Sequence, residues 1–90
     1  MTILRIPTPL RTYTQNQSEV NVSAATVSEA MDQLVTQFPA LKPHLYNDEG
    51  ELRSFVNLFV NDESVRDLDG VDTSLKDGDR LMIIPSIAGG

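Results

Sequence analysis

The residues of this chain whose type and position could do chemistry are its last two, Gly89 and Gly90. Ahead of them run Leu81-Met82-Ile83-Ile84-Pro85-Ser86-Ile87-Ala88, four apolar residues and a proline followed by side chains that dwindle away. The pattern predicts a buried strand that feeds a thin tail, with a folded domain over 1–85 and a flexible C-terminal tail over 86–90. Glycine has no Cβ and accepts almost any φ and ψ, so a Gly-Gly end makes a poor structural element and a good probe for a narrow channel in another protein. The one group such a tail can offer is its own carboxylate. The bland alternative is a frayed terminus, which most domains have.

Side chains elsewhere offer no reaction centre. The chain has no cysteine, hence no disulfide, no thiolate metal site and no nucleophilic thiol. His44, the single histidine, has no second His or Cys with which to share a metal and no Ser or Cys motif that would make it a general base; it reads as structural or solvent-facing. Asp67, Asp69 and Asp72 sit close together but lack the full spacing and closing glutamate of an EF-hand, so no metal is expected. Paired catalytic carboxylates and a phosphate-cradling glycine loop are also missing. The chain is therefore expected to be a substrate of enzymes rather than an enzyme, and to bind no cofactor of its own.

Ninety residues suit one domain with one core, burying about 60 to 65% of the surface the unfolded chain exposes. With 40% apolar and 22% charged residues the composition is ordinary globular material. A net charge of −6 with scattered Lys and Arg argues against nucleic acid, which demands clustered cations, and equally against an anionic membrane surface. The start, Met1-Thr2-Ile3-Leu4-Arg5, lacks the apolar run of a signal peptide. No stretch approaches the roughly 18 apolar residues of a membrane span, so a cytoplasmic location is expected.

The elements that must position the tail can be read in order. Thr2 to Pro7 predicts a strand ended by Pro7-Thr8-Pro9; Thr12 to Ser18 predicts a polar turn, and the alternation Glu19-Val20-Asn21-Val22 a second strand, giving a hairpin with a long connection. Thr26-Val27-Ser28-Glu29 is a capping box in which Thr26 is expected to accept from the Glu29 N–H while Glu29 reaches the N–H of Thr26. Val27, Ala30, Met31, Leu34, Val35 and Phe38 then form one apolar stripe at helical period, with Ser28, Asp32, Gln33 and Gln37 facing water; Pro39 ends the helix at Phe38. Ala40 to Tyr46 predicts a short helical turn or packed loop. Phe55 to Val60 predicts a strand with Val56, Leu58 and Val60 on the core face. A tight turn at Asn61 to Ser64, a short strand around Val65-Arg66, an acidic loop from Asp67 to Ser74 with Gly70 as its turn residue, a turn at Lys76 to Asp79 and a final strand from Arg80 complete the order. A last strand apolar on both faces belongs at the centre of its sheet. The fold class expected is α+β, a mixed sheet with one main helix packed on one face, the ubiquitin-like β-grasp arrangement.

Val60-Asn61 with the turn after it, Asp77-Gly78-Asp79 before the last strand, and the terminal Ala88-Gly89-Gly90 together resemble the MoaD/ThiS family of ubiquitin-like sulfur-carrier proteins. The resemblance covers nearly the whole chain; a lone Gly-Gly would carry little. The run Phe55 to Arg66 with Pro85 to Gly90 is most similar to the branch that supplies sulfur for cysteine biosynthesis. ThiS members are usually shorter, without loops like Thr8 to Gln17 and Ala40 to Arg53, whereas MoaD is of similar size, which keeps a small subunit of molybdopterin synthase as an alternative.

The resemblance implies that an E1-like enzyme of the MoeB/ThiF kind adenylates the Gly90 carboxylate with ATP and that a sulfur donor displaces AMP to leave a thiocarboxylate. The chain would be a protein cosubstrate of that adenylyltransferase/sulfurtransferase, and a sulfur-accepting synthase would be its second partner. Docking is expected on the face away from the helix, through Phe59, Met82 and Ile84, with Phe55 at the rim, Arg80 or Arg11 for polar contacts, and Ile87 and Ala88 entering the channel. Family members place an apolar residue at the position matching Ile84 against the activating enzyme. By alternation Leu81 and Ile83 point to the core. Two rival readings share the fold: a modifier that links Gly90 to lysines of other proteins, and a docking domain that never uses its terminus.

Overall fold

The computed structural model describes residues 1–53 and 56–85. The expectations for Phe55, Ile87, Ala88, Gly89 and Gly90, and the 86–90 tail as a unit, lie outside the described residues. Strand β1, Thr2–Arg5, pairs antiparallel with β2, Glu19–Val22, with Leu4 opposite Val20. Leu4, Val20 and Val22 are buried and Ile3, Arg5, Glu19 and Asn21 are on the other side, as a period of two requires. β1 stops at Arg5 rather than at Pro7, although Ile6 is buried and its N–H donates to the Ser18 carbonyl at 2.8 Å.

The connection between β1 and β2 departs from expectation. Thr8–Tyr13 is a 3-10 helix, with polar turn residues only after it. Two physical reasons act together: Pro9 sets φ for a helical turn at the start of the segment, and Leu10 is buried in the core, so the segment curls to bring it inward. Thr14, fully buried, holds the far end, its hydroxyl within 2.9 Å of the Gln17 carbonyl and 3.2 Å of that of Arg11.

Helix α1 spans Val27–Gln37 and begins where the capping box puts it. Thr26 Oγ1 accepts from the Glu29 N–H at 3.2 Å. The return bond goes one residue further than expected, Glu29 Oε2 accepting from the Ala25 N–H at 3.1 Å, while Thr26 is drawn into a bridge with Ser74. Val27, Ala30, Met31 and Leu34 join Leu4, Val20, Leu58 and Leu81 in one core, and Val35 and Phe38 pack at its border. Gln33 is not simply solvated: its side-chain amide exchanges hydrogen bonds with the backbone of Ser23. At Phe38 the backbone leaves the helical region, with ψ at 76°, just ahead of Pro39. A 3-10 turn, Pro39–Leu41, leads into the short α2, Lys42–Leu45. The exposed His44 stacks on Tyr13, ring centroids 4.2 Å apart, and ties this turn to the 3-10 helix.

Strands β3, Val56–Val60, β4, Glu63–Ser64, and β5, Arg80–Pro85, complete a five-stranded sheet in the order β2-β1-β5-β3-β4. β5 lies at the centre, parallel to β1 and antiparallel to β3. The mixed sheet with one main helix is the α+β arrangement the sequence called for. β4 falls two residues before the strand expected around Val65-Arg66; Val65 instead starts a 3-10 turn and is buried. Asn61 and Asp62 both have positive φ, 56° and 147°, so the chain reverses at once and the residues directly after the turn are the ones that pair. Among the described residues no helix is long and apolar enough to cross a membrane, and no group of three His, Cys, Asp or Glu could hold a metal ion.

Candidate functional site

β5 is the central strand and the last described element, so its two faces and two ends define what a partner of the described sheet can reach. Leu81 and Ile83 are buried at 0% and 3% exposure and belong to the core, whereas Met82 is half-buried and Ile84 is 41% exposed on the opposite face. The register places Phe59 across from Met82 on one flank and Arg5 on the other. Asn57 stands across from Ile84. The structure thus brings Phe59, Met82 and Ile84 together on the open sheet face, with Ile3 and Arg5 completing it.

Arg80 shares that face but not that end. It pairs with Ile3 at the entry of β5, about 13 Å along the strand from Ile84 at some 3.3 Å per residue. Arg11 is the cation beside Ile84. With Pro7 and Pro9 it walls a groove of about 390 Å³ whose other side is Met82 and Ile84. The Arg11 Nε–H donates to the Ile6 carbonyl at 3.1 Å, which fixes the guanidinium plane in the wall. Arg5 also lines the groove and sits 3.7 Å from Glu19 in an exposed, weak ion pair. Sequence reasoning missed Arg5, Pro7 and Pro9. For Arg5 the signal was available, because buried Leu4 and Ile6 on either side force it onto the open face.

At the entry of β5 the chemistry is different. The Asn61 N–H donates to the Arg80 carbonyl at 2.8 Å and the Arg80 N–H to Asn61 Oδ1 at 3.1 Å, while Asn61 Nδ2 donates to Asp79 Oδ1 at 3.0 Å. The second carboxylate oxygen of Asp79 accepts from the Lys76 N–H at 2.8 Å. Gly78, at φ +88°, turns the chain so that its own N–H meets the Met1 carbonyl at 2.9 Å. The Asn61 amide, with help from the Lys76 N–H and then the Lys76 charge, holds the Asp79 carboxyl below the usual aspartate value. Val60-Asn61 and Asp77-Gly78-Asp79, the internal motifs that carry the resemblance, are thus two halves of one hydrogen-bonded clasp.

A mixed sheet wrapped over one main helix, with the last strand at its centre and apolar side chains on its open face, defines a ubiquitin-like β-grasp protein. Comparison with known proteins gives the same class and narrows it. The ThiS family model matches residues 4–90, and the chain belongs to that family, the MoaD/ThiS group of ubiquitin-like sulfur-carrier proteins. It is 38% identical over 87 residues to the sulfur carrier protein CysO of Mycobacterium tuberculosis, covering 94% of each chain. Its fold matches the CysO-bearing crystal structure of the Amycolatopsis orientalis BexX/CysO complex with a TM-score of 0.89 and 40% identity, covering 100% of both chains. It is also 38% identical over 66 residues to small archaeal modifier protein 3 of Haloferax volcanii, covering 73% of this chain and 71% of that relative.

Proposed function

We propose that this chain is a CysO-type sulfur carrier whose Gly90 carboxylate is activated by an E1-like enzyme and converted to a thiocarboxylate, with cysteine biosynthesis as its destination. The observation that carries this is the likeness to CysO carriers over nearly the whole chain, with the family match running through the terminal Gly-Gly. In the first step a Gly90 carboxylate oxygen attacks the α-phosphorus of ATP and pyrophosphate leaves. In the second a sulfur nucleophile attacks the acyl carbon and AMP leaves, a far better leaving group than oxide; two easier substitutions replace one hard one. The carrier needs no cysteine for this, which agrees with its composition.

The folded body acts as a handle. Met82, Ile84 and Phe59 supply apolar area for the enzyme of the MoeB/ThiF kind, Arg80 a polar contact further along, and Ile87 and Ala88 enter the channel ahead of Gly89 and Gly90. The reacting carbon has to come within about 3 to 3.5 Å of its partner atom, and every Cβ near the end widens the channel required. The Amycolatopsis orientalis CysO was crystallised in complex with a second protein, BexX, which supports a reading in which this body too docks onto partner proteins; a sulfur-accepting synthase is the second partner proposed. The acceptor proposed is an activated serine derivative.

Intact-protein mass spectrometry after incubation with the adenylating enzyme of the same cells, ATP and a sulfur donor tests the proposal. Replacement of one C-terminal oxygen by sulfur is the expected result; an unchanged mass overturns it. The identity to a small archaeal modifier protein favours one second reading, conjugation of Gly90 to lysine, which the same measurement separates as high-mass adducts.

A further inference from the structure

A second groove lies beside α1, on the helix side of the sheet. It has a volume of about 340 Å³, and its walls come from three separate stretches: Ser28 and Asp32 on α1, Tyr46, Glu51 and Leu52 on the turn after α2, and Val71 on the 3-10 turn Gly70–Asp72. Each wall is held by bonds made outside the groove. Tyr46 bridges Leu52, and Asn47 Oδ1 accepts from the N–H groups of Glu49 and Glu51 at 2.9 and 3.0 Å, which closes the turn. The Val27 N–H donates to the Thr73 carbonyl at 3.0 Å and so ties the 3-10 turn to the start of α1. Apolar surface is left open here: Val71 is 40% exposed, nearly as much as Ile84, and Leu68 in the neighbouring turn is 38% exposed. Burial, and then the charge of Asp32, raise the Tyr46 hydroxyl above its ordinary pKa, so a neutral phenol stands beside that carboxylate.

Charge is distributed as unevenly as apolar surface. Residues 27–37, 46–52 and 65–72, the stretches that supply the walls, hold eight of the chain's 13 Asp and Glu but one of its seven Lys and Arg. Among the described residues neither Asp32 nor Glu51 has a cation within ion-pair distance. We infer that this groove is a docking site for a basic segment of a protein other than the one that covers the open sheet face. A Lys or Arg of that segment lays its methylene stem on Val71, Leu52 and the Tyr46 ring, and its charged end pairs with Asp32 and Glu51. Long cationic side chains bury their stems on apolar surface in this way while the charge stays at a polar rim. Other occupants fit poorly. A second copy of this chain brings its own net charge of −6, and nucleic acid or an anionic membrane is repelled for the same reason. Because α1 packs on the core face of the sheet and Ile84 projects from the other, the two surfaces can be covered at once. Nothing in this site uses the terminus, so the carrier reading and this assignment fail by different results.

Titration of the isotope-labelled full chain with a short synthetic peptide of alternating Lys and Leu, followed through amide shifts by NMR at two salt levels, tests this. Shifts are expected at Ser28, Asp32, Glu51, Leu52 and Val71 with Met82 and Ile84 unmoved, and affinity should fall as salt rises. Asp32→Asn combined with Glu51→Gln, which keeps side-chain shape at two exposed positions, should weaken binding about fivefold, the scale of two exposed ion pairs. Val71→Ser should weaken it too by removing apolar surface from the groove. Glu19→Gln, the same kind of charge change on the open face, should leave it unchanged, and a peptide with Glu in place of Lys should not bind. No binding, shifts spread over the whole acidic surface, shifts centred on Met82 and Ile84, or unaltered affinity in the double variant each overturn the assignment. ATP–pyrophosphate exchange by the adenylating enzyme should persist at saturating peptide; inhibition would place the peptide on the open face and overturn it as well. No exchange by the chain without peptide sinks the carrier reading alone, and the titration still decides the groove.

Discussion

The two ends of β5 are made of opposite materials. Where the strand is entered, Asn61, Asp79, Lys76 and Arg80 satisfy one another through hydrogen bonds of 2.8 to 3.1 Å within the chain. Where it leaves, Met82 and Ile84 keep apolar surface in contact with water, and Arg5 and Arg11 stand around them. The first end closes on itself through backbone and side-chain hydrogen bonds; the second leaves Ile84 exposed among the described residues. A hydrogen-bonded clasp stabilises by its own closure, whereas half-exposed apolar side chains gain free energy only when something covers them. On the proposed function the division puts stability mainly at one end and the apolar docking area at the other, with only the Arg80 side chain offered to a partner from the first, and variants can break it.

The largest effect is expected beyond the exit. Gly89→Val should lower adenylation by at least about 100-fold, the scale of a misplaced reacting group, with an unchanged melting temperature; normal pyrophosphate exchange by the mutant would refute the channel argument. Next comes Ile84→Ala, which should cost about tenfold in kcat/KM as a truncated anchor does. Because Ile84 is 41% exposed, the accompanying loss of stability should stay under about 1 kcal/mol, checked by urea denaturation.

Asn61→Ala reverses the signature. It removes donor and acceptor from the clasp and should cost about 1 to 2 kcal/mol in denaturation, with exchange kinetics at the level of the unaltered chain; a kinetic defect in a folded Asn61→Ala protein would erase the distinction between the ends. The smallest effect is in acid. The Asp79 carboxyl is held below its ordinary value in the folded state, so its contribution is present in full above the unfolded pKa near 4 and is lost as pH falls through the lowered folded value. The stability difference between the unaltered chain and Asp79→Ala should therefore shrink below about pH 4, and a difference constant from neutral to strongly acid solution would show that the charge on Asp79 contributes nothing.

Local rules carried the reading a long way. The helix start at Thr26, its buried stripe and its end before Pro39 follow from interactions spanning at most a few turns. The core faces of β3 and β5 follow from alternation, which assigned Leu58 and Ile83 inward and Phe59 and Ile84 outward without any partner strand being known. The misreadings fall where distant or unusual backbone intervenes. The 3-10 helix at Thr8–Tyr13 depends on a core place for Leu10, and the position of β4 depends on positive φ at Asn61 and Asp62.

By itself, then, the sequence determined the main helix, most of the strands and the side of each strand that meets the helix. Tertiary structure alone decided that Asn61 and Asp79, 18 residues apart, close one clasp. It also decided that Arg11, which sequence reasoning could offer only as an alternative to Arg80, stands at the exit of β5 while Arg80 stands at its entry. The reason is one of range: periodicity and capping act between neighbours along the chain, while the meeting of Pro7, Arg11 and Ile84 requires β1 and β5 to pair across most of its length.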